Sequence, residues 1–220
     1  MPKITSLNRL AAKQGFRAGD DVVSLGGYEM RDILDYLYFD NEKTFTAEVL
    51  RNGKKHTIKV RKKPEESLGL EFDLEMKPMR CRNKCVFCFV DQLPEHLRET
   101  LYVKDDDYRY SFISGCYVTL TNLPEEEIDR IIRLKLSPIY ISVHAFTDEV
   151  RRKLVTNPNT QNLIDRMRRM GENGIVMHTQ LVIVPGINDG DELVKSIRGL
   201  HGIQGVETVA VVPVGLTAHR

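Results

Sequence analysis

The 220-residue chain lacks an excess of charge of either sign. Its 32 Lys and Arg stand against 31 Asp and Glu, a formal charge of +1, so no overall field selects a nucleic acid or an anionic membrane. Long apolar runs are also missing. Nowhere do about eighteen apolar residues follow one another, and Met1-Pro2-Lys3-Ile4-Thr5 opens no apolar export segment. Neither export nor membrane spanning is expected, and the chain reads as cytoplasmic. There is no internal repeat and no low-complexity stretch. Cysteine is scarce: there are four, and three of them fall within residues 81–88. A secreted disulfide scaffold disperses its cysteines, whereas this crowding indicates a metal site in a reducing compartment.

What is present divides into two rhythms. Between Ala12 and Val60, Gly15, Gly19-Asp20 and Gly26-Gly27 punctuate apolar stretches such as Val22-Val23-Ser24-Leu25, which predicts a small β-rich domain. Arg31–Phe39 sets Ile33, Leu34 and Leu37 at helical spacing, and Phe45, Ala47 and Val49 alternate with Thr46 and Glu48 as in a half-buried strand. Asn52-Gly53 favours a two-residue hairpin turn, with Ile58 and Val60 on the returning strand. The charged segment Arg61–Glu66, with Pro64 inside it, is the expected linker between domains 1–66 and 67–220.

Beyond the linker, strands are expected at Ser111–Thr121, Ile139–Val143, Ile175–Val184 and Val206–Val214, and helices at Glu125–Leu136, Asn162–Asn173 and Glu192–Leu200. Alternation of this kind implies parallel strands with right-handed crossovers, an α/β sheet or barrel. At roughly 30 residues per βαβ unit, residues 67–220 hold about five or six strands. They stop on the last one, so the natural product is expected to continue past Arg220.

The chemistry lies in Cys81-Arg82-Asn83-Lys84-Cys85-Val86-Phe87-Cys88, a C-x3-C-x2-C spacing. Thiolates so close in sequence can bind three irons of a 4Fe-4S cluster and leave the fourth iron without a protein ligand. The competing reading is a structural zinc, which closes with four protein ligands. Cys116 or His96 would have to complete it.

This spacing, with the aromatic Phe87 just before the third cysteine, resembles the signature of the radical S-adenosylmethionine superfamily. That resemblance implies that S-adenosylmethionine chelates the open iron. An electron from the cluster then cleaves its carbon–sulfur bond, and the resulting 5′-deoxyadenosyl radical abstracts hydrogen from a substrate. It also implies an external electron donor such as flavodoxin or ferredoxin. The order of later segments is similar too, from residue 73 to 220. Thr119-Leu120-Thr121-Asn122 resembles the Thr-Asn after an early barrel strand of relatives. Ile141-Ser142-Val143-His144 resembles a strand whose Ser faces S-adenosylmethionine, and Val182–Asp189 one ending in Gly-x-Asn-Asp near the adenine. Candidate cofactor contacts are therefore Phe87, Thr121, Asn122, Ser142, His144, His178, Gln180 and Asn188. No catalytic residue is assigned.

Several of these positions carry a second reading. Asn122 stands three residues before Glu125 and fits a capping box equally well. Ser142 and His144 share a strand face that lines either a barrel interior or packed core. His178 and Gln180 are polar on a strand expected to be buried on both sides, which favours a lined cavity. Cys116 reads as a small buried apolar residue.

Ala12-Lys13-Gln14-Gly15-Phe16-Arg17-Ala18-Gly19-Asp20 and the following Val22–Gly27 resemble a PDZ domain. A carboxylate-binding loop before this run is missing, and Ser67-Leu68-Gly69-Leu70-Glu71-Phe72 would supply it in permuted order or else begin the barrel. A groove there would take a peptide as an added strand, its carboxylate held by backbone amides. A PDZ-like domain followed by a partial (β/α)6 TIM-like radical S-adenosylmethionine barrel resembles a bacterial family of iron–sulfur oxidoreductases with a further C-terminal domain. Relatives carry Asn where this chain has Cys116, and the resemblance supplies no substrate. The alternative from another class is a peptide-binding adaptor with a structural zinc.

Overall fold

Asn52 and Gly53 both take positive φ, 51° and 74°, as a two-residue hairpin demands. The strands they join, β4 (Thr44–Arg51) and β5 (Lys54–Arg61), pair antiparallel from Thr44–Arg61 to Arg51–Lys54. This computed structural model describes residues 1–63, 65–160 and 162–218, so Pro64 of the expected linker lies outside the described residues. The chain is a mixed α/β protein of two units, Met1–Lys77 and Pro78–Arg220.

In the first unit the hairpin joins β2 (Asp21–Leu25), β1 (Lys3–Ser6) and β6 (Glu71–Asp73) in the order β5-β4-β2-β1-β6, with β3 (Tyr28–Glu29) on β2. Helix α1 (Arg9–Gln14) starts at Asn8, whose Oδ1 accepts Ala11 N at 3.0 Å. Helix α2 (Ile33–Phe39) starts at a capping box: Asp32 accepts Leu34 N and Asp35 accepts Asp32 N. Ile4, Phe16, Val22, Leu25, Ala47, Val49 and Ile58 fill the core. Among polar groups the buried Asp20 carboxylate takes both Nε and Nη2 of Arg51 at 2.7 Å and Arg17 N at 2.9 Å.

The unit extends past residue 66, where the charged stretch suggested a boundary. Leu68 and Leu70 are buried in its core, and β6 pairs with β1 through Ile4–Phe72. Of the charged residues there, Arg61, Lys63, Glu65 and Glu66 are exposed and Lys62 is buried, and the sheet continues beyond them with β6.

The second unit contains α3 (Tyr108–Ser114), α4 (Glu125–Arg133), β7 (Ile139–Ser142), α5 (Asp148–Val155), α6 (Leu163–Glu172), β8 (Met177–Ile183), α7 (Gly190–His201) and β9 (Val206–Pro213). The expected strand at Ser111–Thr121 is a correction: Asp107 caps a helix there, its Oδ1 accepting Arg109 N, and Gly115 at φ 71° ends it. Of that stretch only Val118 joins the sheet, by a single parallel bridge to Ile141. Strands β7, β8 and β9 pair in parallel and in sequential order. Among the described residues the parallel sheet thus has three strands and one bridge, against the five or six expected. Four of the seven β8 residues are only half-buried, and none of β9 is buried. No helix among the described residues is long and apolar enough to cross a membrane.

Candidate functional site

Residues Cys81–Cys88 form neither helix nor strand, and their shape comes from what holds them. Arg80 and Asp105 make an antiparallel bridge leading into the loop, and Cys81 N donates to Lys104 O at 2.9 Å. Lys84 N and Val86 N donate to Val155 O and Leu154 O at 3.1 and 2.9 Å. Those carbonyls lie in the last turn of α5, where a helix has no acceptors' partners of its own. Cys85 is buried against Ala145, Leu154 and Val155, and Phe87 and Cys88 pack on the same cluster beside Val184 and Ile187. The loop therefore sits where the chain leaves β7 and β8, at the C-terminal ends of the parallel strands.

A buried polar network supports it. Asn83 donates to Thr119 Oγ1 at 2.8 Å and accepts from Thr121 Oγ1 at 2.8 Å and Asn157 Nδ2 at 2.6 Å. Asp106 accepts Thr119 N at 2.6 Å and Thr119 Oγ1 at 2.5 Å. Burial raises the Asp106 carboxyl above the usual carboxylate range against the pull of Thr119, Arg151 and Thr121. The fully buried Arg151 spends its guanidinium on carbonyls of Val143, Thr160 and Thr119, so it joins β7 to the Val118–Thr121 segment.

The thiols are free. Burial pushes Cys81 up, and pushes Cys85 up to about 12 with help from Cys81 and Cys88; Lys104 acts in the opposite direction on both. The three sulfurs thus share one electrostatic neighbourhood. Among the described residues no three Cys, His, Asp or Glu side chains are gathered on a single ion-sized point. Both expected fourth zinc ligands are exposed. His96 is 93% exposed beside Glu95, and Cys116 is exposed, two residues before Val118 enters the sheet, rather than at the strand ends.

The other expected site residues divide. Thr121 is bonded into the network under the loop. Asn122 does not cap α4, whose N-cap is Pro124; its Nδ2 donates to Asp106 O at 3.1 Å. Its buried Oδ1 has no partner among the described residues. Beside these residues a depression of about 490 Å³ is lined by Arg82, Thr121, Asn122, Asn159, Asn162 and Arg166, among others. The His144 ring lies tilted against that of Phe87, with centroids 4.5 Å apart. Its φ of 65° takes it out of the strand, so the shared face expected for Ser142 and His144 ends at Ser142. Desolvation by burial, with Arg151 nearby, lowers the His144 imidazole to about 3. It is therefore neutral, and Nδ1 accepts Val182 N at 3.3 Å.

Asn188 is wholly committed to the main chain: it donates to His144 O and Val182 O and accepts Val184 N. Gln180 reaches the group through its carbonyl, which accepts Val143 N and His144 N. His178 stands elsewhere. Its ring lies 4.9 Å from that of Tyr140 and its Nδ1 bonds Thr208 Oγ1 at 2.8 Å. Both side chains are half-buried, on the less covered face of β8. Sequence reasoning missed Asn83, Asp106, Asn157, Arg151 and Lys104. The run Asp105-Asp106-Asp107 reads as a solvated stretch, since acids are ordinarily exposed, and so concealed that Asp106 and Asp107 are buried.

The sequence matches the model of the radical SAM-like domain family over residues 62–209. The chain belongs to this family. The radical SAM-like domain thus includes the cysteine loop, its supporting network and the first half of β9. Among solved structures the chain is similar to a radical SAM methyltransferase from Sphaerobacter thermophilus, with 16% identity and a TM-score of 0.40 over 91% of this chain and 69% of that one. Two curated relatives, both named serine protease HtrA-like and from two strains of Staphylococcus epidermidis, are 38% identical over 61 residues, 26% of this chain. The chain spans about a tenth of their length.

Proposed function

We propose that the chain is a radical S-adenosylmethionine enzyme whose Cys81, Cys85 and Cys88 hold a 4Fe-4S cluster. The observation that carries this is the presentation of three free thiols by one loop at the C-terminal strand ends of a radical SAM-like domain. The donor set fits the group: three thiolates with no fourth local ligand suit a cluster with one open iron better than a closed zinc site. Such a cluster, when bound, supplies an electron to S-adenosylmethionine and yields a 5′-deoxyadenosyl radical for hydrogen abstraction. In this reading the chain's own residues shape the surroundings. The network of Asn83, Thr119 and Thr121 fixes the loop. Neutral His144 and Phe87 exclude water from one side. The unpartnered Asn122 Oδ1 offers an acceptor to an amine or hydroxyl of the bound cofactor. Ser142 ends β7 and pairs with Gln180 in the middle of β8, and sequential parallel β7, β8 and β9 support this group's being part of a barrel. An external one-electron donor is required.

The first unit supports a PDZ-like reading in permuted order, since β6, last in sequence, closes the sheet beside β1. It speaks for a structural module rather than peptide capture. The loop that would hold a peptide carboxylate already holds one: Asp40 accepts Leu68 N at 2.8 Å and Ser67 Oγ at 2.5 Å, and Tyr36 Oη accepts Leu70 N at 3.0 Å. Phe72 packs edge-on against Tyr36.

Anaerobic reconstitution with iron and sulfide tests the proposal. Absorbance near about 400 nm, and 5′-deoxyadenosine after reduction with S-adenosylmethionine, are expected. One equivalent of zinc without sulfide would refute it.

A further inference from the structure

Lys104 lies outside the cysteine motif, yet it meets the loop at several points. Its carbonyl accepts Cys81 N at 2.9 Å. Its ammonium donates to Asn83 O at 3.3 Å and to both oxygens of Asp91, at 3.0 and 2.8 Å. Asn83 belongs to the first half of the loop and Asp91 follows its last cysteine, so one side chain spans the two limbs. The pair is partly covered, with Lys104 and Asp91 side chains 24% and 35% exposed. An exposed ion pair contributes little by itself. What sets this one apart is that the ammonium also meets a loop carbonyl, that of Asn83.

We propose that Lys104 is a positioning residue for the cysteine loop, clasping it between Asn83 and Asp91 and holding a positive charge against the loop that carries the three cysteines. The clasp stands on the geometry alone; the role of the charge rests on the cluster proposed above. Reducing a cluster adds negative charge to it, and a nearby cation favours the reduced form, which raises the potential. A neutral side chain at this position lowers it.

The test uses the full chain in three variants, Lys104→Met, Lys104→Arg and Asp91→Asn, each first shown by circular dichroism to fold. In the metal-free chain, amide exchange at Lys84, Val86 and Cys88 is expected to quicken about tenfold in Lys104→Met and Asp91→Asn, and to stay near wild type in Lys104→Arg. Unchanged exchange in Lys104→Met overturns the clasp. In the reconstituted chain, a redox titration followed by electron paramagnetic resonance reads the midpoint potential. It is expected to fall in Lys104→Met but not in Asp91→Asn, which loosens the loop while keeping the ammonium. An unchanged potential in Lys104→Met overturns the role of the charge. A wild-type chain that takes up no iron and sulfide defeats the proposed function instead, and the exchange experiment still decides the clasp.

Discussion

At the scale of residues, the site depends on groups that do no chemistry themselves. Asn83 uses its amide on Thr119, Thr121 and Asn157, all buried. Asn83→Ala takes one hydrogen bond from each of those partners and is expected to destabilise the chain by about 1–3 kcal/mol, measured by urea unfolding. The mutant loop should also retain less iron after reconstitution. In the other unit, Asp20 is pushed up by burial but pulled down further by its bonds to Arg51 and Arg17, so its carboxyl ends below the ordinary value of 3.8. A group with a depressed folded pKa stabilises above the unfolded value and loses that contribution as pH falls through the folded one. Protection of the Ile4 and Val22 amides should therefore decline below about pH 4, and Arg51→Met should weaken that acid dependence. Hydrogen exchange across the acid range checks it. The cysteines were legible in the sequence because metal ligation imposes a spacing. Asn83, Asn157 and Arg151 were not, because their role depends on which distant segments meet, and Asn inside C-x3-C looks like filler.

At the scale of elements, local pattern read well where one periodicity ruled and failed where a cap overrode it. Helix α4 has Glu125, Glu126 and Glu127 in its first turn and Ile128 and Ile131 buried, and both features are visible in the chain. The stretch Ser111–Thr121 reads as strand through its aromatic and β-branched residues, but Asp107 and Gly115 enclose a helix there. Helix α5, whose carbonyls hold the cysteine loop, went unnoticed because its buried face includes Arg151, which breaks the apolar stripe. The packing of α6 gives a sharp prediction. A Cβ on Gly171 would lie 1.8 Å from the backbone oxygen of Gln204, and backbone yields less readily than a side chain. Gly171→Ala should cost about 1–3 kcal/mol, visible as a lower urea midpoint, while cluster assembly in the folded fraction is unchanged.

For the whole molecule, composition suggests two units, 1–66 and 67–220. Charge and proline pointed to 61–66, whereas pairing of β6 with β1 carries the first unit to Lys77. Such long-range pairing is what single-sequence patterns cannot show. Residues 74–79 belong to no helix or strand, and Glu75 is exposed. A glutamate-specific protease should cut there early, and mass spectrometry should find two products divided at residue 75. The central claim, however, concerns the open iron that three thiols leave. The most direct measurement is the electron paramagnetic resonance spectrum of the reduced, reconstituted chain with and without S-adenosylmethionine. A cluster whose fourth iron is free to be chelated predicts a changed spectrum when the cofactor is added, lost on changing Cys81, Cys85 or Cys88 to Ala. A cluster signal that S-adenosylmethionine leaves unaltered would contradict it.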